Sequence, residues 1–248
     1  SVVHSFCNMM RLHIAEPRLQ NRLLVYYSST DLAERTNTAF LLAAFLVVDL
    51  NMSPKEAWAP FAAIGPPLQG DLMGGGEAFE TYHDATFRPK TFGLSVLSCL
   101  EGLHKAMRLG WYNPATFKQD AYDLLDDPSF ADMHAVCPKF VAFRGPVELA
   151  KGQSQGVHGF SPLDFVPLLR DGLDCRTVVR LNEPSTYKAA RFREQGVEHF
   201  DLYFDDCTTP PREVVDRFLS LCERLRGRVG VHCKAGLGRT GTLIALHM

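Results

Sequence analysis

The sequence has little of what marks membrane proteins or nucleic-acid-binding proteins. No apolar run reaches the roughly 18 residues of a membrane span, and the nearest, from Ala39 to Val48, has the length of a buried helix. The formal net charge is only −2, so there is no electrostatic reason to expect nucleic acid or a membrane surface as a partner. With 46% hydrophobic and 22% charged residues, the composition is that of an ordinary soluble globular protein.

The cysteines also lack a pattern. There are seven of them, an odd number, and none are spaced as metal ligands usually are. Such cysteine usage suits a reducing compartment, either the cytoplasm or the nucleus. We therefore expect no metal and no other cofactor. The seven are Cys7, Cys99, Cys137, Cys175, Cys207, Cys222 and Cys233.

One glycine-rich turn near the end of the chain carries a chemical pattern. It is His232-Cys-Lys-Ala-Gly-Leu-Gly-Arg-Thr-Gly241, between an apolar strand and an apolar helix. The glycines and the helix start bring backbone N–H groups close to an anion, and Arg239 can grip two phosphate oxygens at once. In that positive field Cys233 should be a thiolate near neutral pH, and so a nucleophile. The alternative is a buried cysteine before an ordinary turn.

This string resembles the signature of cysteine-dependent phosphatases. Because Lys234 directly follows the cysteine and Leu237 lies between two glycines, the string is similar to the dual-specificity family first known from cell division cycle gene fourteen. The resemblance implies hydrolysis of phosphomonoesters on proteins through a cysteinyl-phosphate, with Cys233 and Arg239 catalytic and Thr240 bonded to the sulfur. His232 would help to set the thiolate field from behind. The phosphate would lie on Lys234, Ala235, Gly236, Leu237, Gly238 and Arg239.

Two rival functions remain open. A phosphoinositide phosphatase has nearly the same signature but carries a second Lys where this chain has Leu237. A non-catalytic module that binds phosphopeptides is the other. Whether the chain is a protein phosphatase or a module that binds phosphopeptides, its partners are phosphorylated proteins. The resemblance implies that these are targets of proline-directed kinases. It also implies a role in cell division and a nuclear and cytoplasmic location.

An acid must protonate the departing oxygen, and the segment Phe204-Asp-Asp-Cys-Thr-Thr-Pro210 offers two. In the fourteen-type family the acid lies four residues before a Pro and twenty-seven before the nucleophile, and Asp206 meets both spacings. Asp205 is then a bystander. The alternative is that both aspartates only cap the next helix. The family's usual Gly after the acid is here Cys207, which predicts a less flexible loop.

Residues 116–138 form an acidic segment between the two halves of the chain. An acidic run is usually a solvated helix face. The segment resembles one that, in the fourteen-type family, lines a groove beside the active site and recognises a Lys or Arg after the phosphorylated residue. By that resemblance Asp123, Asp126 and Asp132 are the substrate-binding acids.

The first half contains a segment that resembles the signature more weakly. When Cys233 is aligned with Ser29, Arg239 falls on Arg35 and Thr240 on Thr36, after a predicted apolar strand Leu23–Tyr27 and before an apolar helix. This pattern favours an internal duplication whose first copy has lost its chemistry, although chance similarity over a short window is the alternative.

The expected fold class is α/β, with tandem phosphatase-like domains, each a mainly parallel sheet flanked by helices. We predict a non-catalytic domain over 1–115, an acidic linker helix over 116–138 and a catalytic domain over 139–248. The chain begins at Ser1 and stops nine residues after Arg239, so both ends look clipped. The second domain is expected to be incomplete at its C-terminus, and the isolated chain to be poorly stable and weakly active.

Overall fold

The computed structural model describes residues 1–64, 78–83, 89, 92–149 and 159–248. The chain divides into two compact units, Ser1–Gln119 and Asp120–Met248. The surface loop expected around Gly74–Gly76 lies outside the described residues, as does most of the loop expected between Arg144 and Gly159. No helix within the described ranges is both long and apolar enough to cross a bilayer.

The first unit is built from helices. They are α1 (Val2–Ala15), α2 (Leu32–Asp49), α3 (Pro54–Ala62) and α4 (Val96–Arg108). Small residues of α2 pack closely against Ala57, Val96 and Leu100 of the next two helices. A capping box begins α3, where Ser53 and Glu56 satisfy each other's backbone N–H groups. α4 ends just before Gly110, whose φ of +70° is typical of a glycine that terminates a helix.

The predicted strand Leu23–Tyr27 is wrong. This run is irregular, and Leu23 and Tyr27 are 89% and 87% exposed. A strand needs a neighbour for its backbone groups, and among the described residues of this unit strand pairing is limited to one bridge between Tyr82 and Leu94. The sheet expected in the first half is therefore absent from its described residues.

The helix expected in the signature-like segment of the first half is present. Arg35 and Thr36 lie in the early turns of α2, which Asp31 caps. At the position that aligns with Cys233, the Ser29 hydroxyl donates to the Glu34 carboxylate. A carboxylate there would repel phosphate, so the expectation that this copy has no chemistry stands as a prediction.

The second unit is an α/β sandwich, as predicted. Its strands are β1 (Met133–Ala135), β2 (Phe140–Phe143), β3 (Cys175–Arg180), β4 (Glu198–Asp201) and β5 (Arg228–His232). Within the described residues they form one sheet in the order β1-β2-β5-β3-β4. Four strands are parallel, and β1, which the sequence did not predict, is antiparallel to β2.

Helices cover both faces of this sheet. The helices are α5 (Gln119–Asp126), α6 (Pro162–Val166), α7 (Ala190–Arg193), α8 (Arg212–Arg224) and α9 (Arg239–His247). Phe165 of α6 and Phe192 of α7 belong to one buried cluster with Val178, while Phe218 of α8 and Leu243 of α9 belong to another. The central strand β5 therefore ends between two buried layers, at the edge where parallel sheets bind ligands.

Candidate active site

The glycine-rich turn begins where β5 ends and closes at the first residue of α9. Cys233 follows His232 directly and is buried, and its Sγ accepts the N–H of Gly236 at 3.3 Å. Gly236 has a φ of +80°, and an added Cβ would lie 2.9 Å from the carbonyl oxygen of Phe143. Only glycine meets both conditions, so this position fixes how tightly the turn wraps around the sulfur.

A neighbouring strand supports the same turn. The N–H of Gly145, just beyond β2, donates to the carbonyl of Lys234 at 3.0 Å. An added Cβ on Gly145 would overlap the carbonyl oxygen of Cys233. This residue was not predicted from the sequence. The available signal was a glycine two residues after a strand that runs parallel to β5.

Arg239 is buried, and backbone carbonyls orient its guanidinium. Its Nη1 donates to the carbonyl of Phe204 at 3.0 Å and to that of Leu181 at 3.4 Å. These carbonyls lie just beyond β4 and β3. Because the guanidinium is planar, fixing one nitrogen orients the rest of the fork.

Asp206 lies beside this guanidinium, and Asp205 does not. Oδ1 of Asp206 is 3.2 Å from Nε of Arg239, although the contact lacks hydrogen-bond geometry. The Asp205 carboxylate instead accepts the hydroxyl of Tyr203 at 2.6 Å. Neither aspartate caps α8, because Pro211 holds the N-cap position without a side-chain bond. The helix-capping alternative therefore does not describe this segment.

Cys207 adopts an unusual backbone conformation for its residue type. Its φ is +55°, in the left-handed region that glycine favours. The loop backbone therefore has the conformation that a glycine adopts easily. Cysteine adopts it at a steric cost, because it has a Cβ.

His232 is fully buried behind the nucleophile. Its Nδ1 lies 2.9 Å from the carbonyl oxygen of Cys233, and its Nε2 lies 2.6 Å from the hydroxyl of Tyr187. Burial lowers the pKa of His232 to about 3, so the ring is neutral. It acts on the turn through hydrogen bonds rather than through a positive field.

The Thr240 hydroxyl does not form its expected hydrogen bond. It is completely buried, and it has no hydrogen-bond partner among the residues that the structure describes. The predicted bond to the sulfur is thus not formed here. Leu237, by contrast, is 66% exposed at the outside of the turn.

Two of the predicted substrate-binding acids, Asp123 and Asp126, lie on α5, and the third, Asp132, directly precedes β1. Asp123 is exposed on α5, and Asp126 lies 3.3 Å from Nε2 of His134. Asp132 has a φ of +47° and accepts the N–H of Arg144 through its carbonyl. The register pairs Met133 with Phe143 and Phe143 with His232, so the Asp132 backbone is about 10 Å from Cys233 at the same sheet edge.

Other candidate sites lack this constellation. In the part of the chain that is described, no three His, Cys, Asp or Glu side chains are grouped to hold a metal. A cavity of about 520 Å³ lies in the first unit, between the start of α3 and the end of α4, and its only hydroxyl, that of Ser53, bonds Glu56. Its lining residues are Ser53, Pro54, Lys55, Glu101, His104, Lys105, Arg108 and Leu109.

A cysteine at the end of the central parallel strand, a turn of backbone amides around it and a buried arginine at the helix start define the class of cysteine-dependent phosphatases. Two family models match. One is the N-terminal half of dual specificity protein phosphatases over residues 1–106, and the other is the Swiss Army Knife protein DSP-PTPase phosphatase domain over residues 164–248.

Individual relatives agree with the family models. The mouse dual specificity protein phosphatase CDC14A is 35% identical over all of this chain, which spans 39% of that protein. The Saccharomyces cerevisiae tyrosine-protein phosphatase CDC14 is 29% identical over 94% of this chain and 41% of its own length. The structure of PTPMT1 in complex with PI(5)P matches loosely, with 18% identity, a TM-score of 0.36, and 46% of this chain and 70% of that chain covered.

The chain is similar over its whole length to the CDC14 dual-specificity phosphatases, and two stretches of it match family models of dual-specificity phosphatases. It spans about two fifths of the length of the curated relatives named above.

Proposed function

We propose that this chain hydrolyses phosphomonoesters on serine, threonine and tyrosine side chains of proteins. One observation carries the proposal. Cys233 and Arg239 lie at the two ends of the turn that follows β5 and that Gly236 shapes, and the Asp206 carboxylate lies beside the Arg239 guanidinium. The relatives are named as protein phosphatases, which supports a protein as the substrate.

The residues divide the reaction into two steps. In the first, the Cys233 thiolate attacks phosphorus, the bond to the side-chain oxygen breaks, and Asp206 gives that oxygen its proton. In the second, water attacks the cysteinyl-phosphate while Asp206 takes back a proton, and inorganic phosphate and the thiolate are released. The amides of residues 234–239 and the Arg239 fork bind the equatorial oxygens in both steps.

The preferred target is a phosphoserine or phosphothreonine followed by Pro and then a basic residue. Asp132 lies at the sheet edge that holds Cys233, and Asp123 and Asp126 precede it on α5. Carboxylates there would attract a Lys or Arg a few residues beyond the phosphate and repel anionic lipid. Exposed Leu237, where lipid-directed enzymes carry Lys, disfavours a phosphoinositide further.

We place this activity among the phosphorylated targets of proline-directed kinases, with a role in cell division in the nucleus and cytoplasm. The names of the relatives support this role.

The function is tested by trapping the intermediate. Wild-type chain mixed with a ³²P-phosphoserine peptide and quenched in acid should retain label on the peptide that contains Cys233, and Cys233→Ser should retain none. If the wild type binds the phosphopeptide but neither retains label nor releases phosphate, the chain is a binding scaffold.

Selectivity needs its own experiment. We expect a phosphoserine-Pro-x-Lys peptide to be hydrolysed faster than its Lys→Glu version, since the acidic residues attract the cation. Asp123→Lys should remove the preference. Asp216→Lys, a matched charge change on α8, should keep it. Equal rates for both peptides with wild-type protein contradict the acidic-groove assignment.

A further inference from the structure

A buried chain of three aromatic side chains leads from β4 to the nucleophile. Nε2 of His199 lies 2.8 Å from the hydroxyl of Tyr187, and that hydroxyl lies 2.6 Å from Nε2 of His232. Nδ1 of His232 in turn lies 2.9 Å from the carbonyl oxygen of Cys233. His199 and Tyr187 come from segments that follow β3, far from Cys233 in sequence, and all three rings are buried.

The directions of these hydrogen bonds follow from proton counting. A carbonyl oxygen only accepts, so Nδ1 of His232 must carry the proton that it donates to Cys233. The neutral ring then has a bare Nε2, which accepts the Tyr187 hydroxyl proton. That hydroxyl has no second proton, so its oxygen accepts the Nε2–H of His199.

One orphaned atom agrees with this assignment. A neutral His199 that is protonated on Nε2 has a bare Nδ1, and this buried nitrogen has no hydrogen-bond partner among the described residues. It lies 3.9 Å from Oδ2 of Asp201, beyond hydrogen-bond distance. With the opposite tautomer, two bare nitrogens would compete for one hydroxyl proton, and one would be left unsatisfied in the core.

The surroundings hold the donor in place. His199 stacks on Phe192 with ring centroids 5.9 Å apart and meets Tyr187 edge-on. Arg180 donates to the Tyr187 carbonyl at 2.7 Å and lies 4.3 Å over its ring. Arg180 also pairs with Asp201 at 2.6 Å, so the tyrosine has little freedom to turn its hydroxyl elsewhere.

We propose that His199 is a positioning residue for Cys233. Its Nε2–H fixes the Tyr187 hydroxyl towards His232, which keeps the His232 Nδ1–H on the Cys233 carbonyl. With that carbonyl bound behind the turn, the N–H groups of residues 234–239 remain free for the phosphate and the sulfur. The kinetic consequence rests on the proposed phosphatase activity, but the hydrogen-bond order does not.

The test uses two variants that differ in one donor. His199→Phe keeps a flat ring against Phe192 and removes the N–H, whereas His199→Gln keeps an N–H near the Nε2 position. The readout is the rate at which iodoacetamide alkylates Cys233 between pH 5 and 8, followed on its own peptide by mass spectrometry. This reaction needs no turnover.

We expect His199→Phe to slow alkylation near pH 6 by roughly 2- to 12-fold, the worth of one net hydrogen bond. His199→Gln should stay close to wild type. In the Tyr187→Phe background, His199→Phe should add no further loss, because the two groups act in series. An independent loss in that background overturns the relay, as does an unchanged rate in His199→Phe.

Nitrogen-15 NMR of the wild-type histidines tests the same order without any variant. The expected tautomers are Nε2–H for His199 and Nδ1–H for His232, and the reverse in either ring overturns the proposal. If the tautomers and alkylation rates come out as expected while no peptide is hydrolysed, the proposed function fails and the relay stands. If peptides are hydrolysed but His199→Phe leaves alkylation unchanged, the relay fails alone.

Discussion

At the scale of single residues, two adjacent carboxylates have different partners and should have different roles. Asp206 contacts the Arg239 guanidinium, and Asp205 accepts the Tyr203 hydroxyl. For Asp206→Asn we expect kcat on a phosphoserine peptide to fall by about 10²-fold or more, because the serine oxygen then leaves without a proton. The loss should be smaller with p-nitrophenyl phosphate, whose leaving group is stable as an anion.

The matched control is Asp205→Asn, which changes the same charge one position away. It should keep the wild-type ratio of rates on the two substrates, as measured by phosphate release. If Asp205→Asn shows the substrate-dependent loss and Asp206→Asn does not, the acid has been assigned to the wrong neighbour.

Gly236 should tolerate no side chain. Gly236→Ala would place a Cβ 2.9 Å from the Phe143 carbonyl oxygen at a φ of +80°, and the left-handed conformation alone costs about 1–2 kcal/mol. We expect lower stability in urea and a large loss of kcat/KM, since the turn must open away from the sulfur. Gly241→Ala, inside α9 with nothing near the new Cβ, should instead stabilise the chain by about 0.5–1 kcal/mol.

The sequence predicted those site residues that are neighbours in the chain and missed those that meet only in the fold. Cys233, Gly236 and Arg239 belong to one turn whose composition already describes an anion cradle. Tyr187 and His199 are contributed by other segments, and a lone Tyr or His has no spacing to reveal a partner. The neutral state of His232 could not be predicted either, since it depends on complete burial.

At the scale of secondary structure elements, buried parallel strands were predictable and short or unpaired ones were not. The apolar strand expected before the glycine-rich turn is β5, over Arg228–His232, because a continuous apolar run suits a strand covered on both faces. Leu23–Tyr27 has a similar composition but no partner strand. β1 is only three residues long, too short for any alternation to show.

The pairing of β3 with β4 includes an ion pair that can be tested. The Arg180 side chain is 3% exposed, and its Nε lies 2.6 Å from Asp201. Asp201→Ala would leave a buried cation without its carboxylate, which we expect to cost about 2–3 kcal/mol of unfolding free energy in the second unit, given that Asp201 is partly solvated.

Asp216→Ala is the matched control. It breaks the Arg212–Asp216 pair at 3.0 Å on α8, where both side chains are mostly exposed. Such pairs contribute about 0.3–0.5 kcal/mol. Urea unfolding followed by hydrogen exchange of β3 amides measures the unfolding free energy of both variants. Equal losses would show that the burial of Arg180 does not make its ion pair more stabilising than the exposed one.

At the scale of the whole molecule, the two units can be observed separately. Both tryptophans, Trp58 and Trp111, lie in the first unit, so tryptophan fluorescence reports on that unit. Hydrogen exchange of β5 amides reports on the second. Because the units have separate cores, unfolding of the chain need not be a single transition.

This separation allows a test of how stability depends on pH. Burial lowers the pKa of His199 to about 4 and that of His232 to about 3, whereas an unfolded chain has histidine pKa values near 6.5. Between about pH 6.5 and pH 4 the unfolded state therefore binds more protons than the folded state. Stability is complete above that window and is lost as pH falls, by at most about 1.4 kcal/mol per pH unit for each histidine.

The second unit should accordingly lose stability faster than the first as pH falls from 6.5 to 4.5. In the first unit, burial also lowers the pKa of His4. His199→Gln should remove about half of the slope that the two buried rings give the second unit, because His232 then contributes without His199. Hydrogen exchange of β5 amides in urea at several pH values measures that slope, with tryptophan fluorescence as the internal comparison. A flat profile for β5 over this window would mean that the two buried rings do not remain neutral.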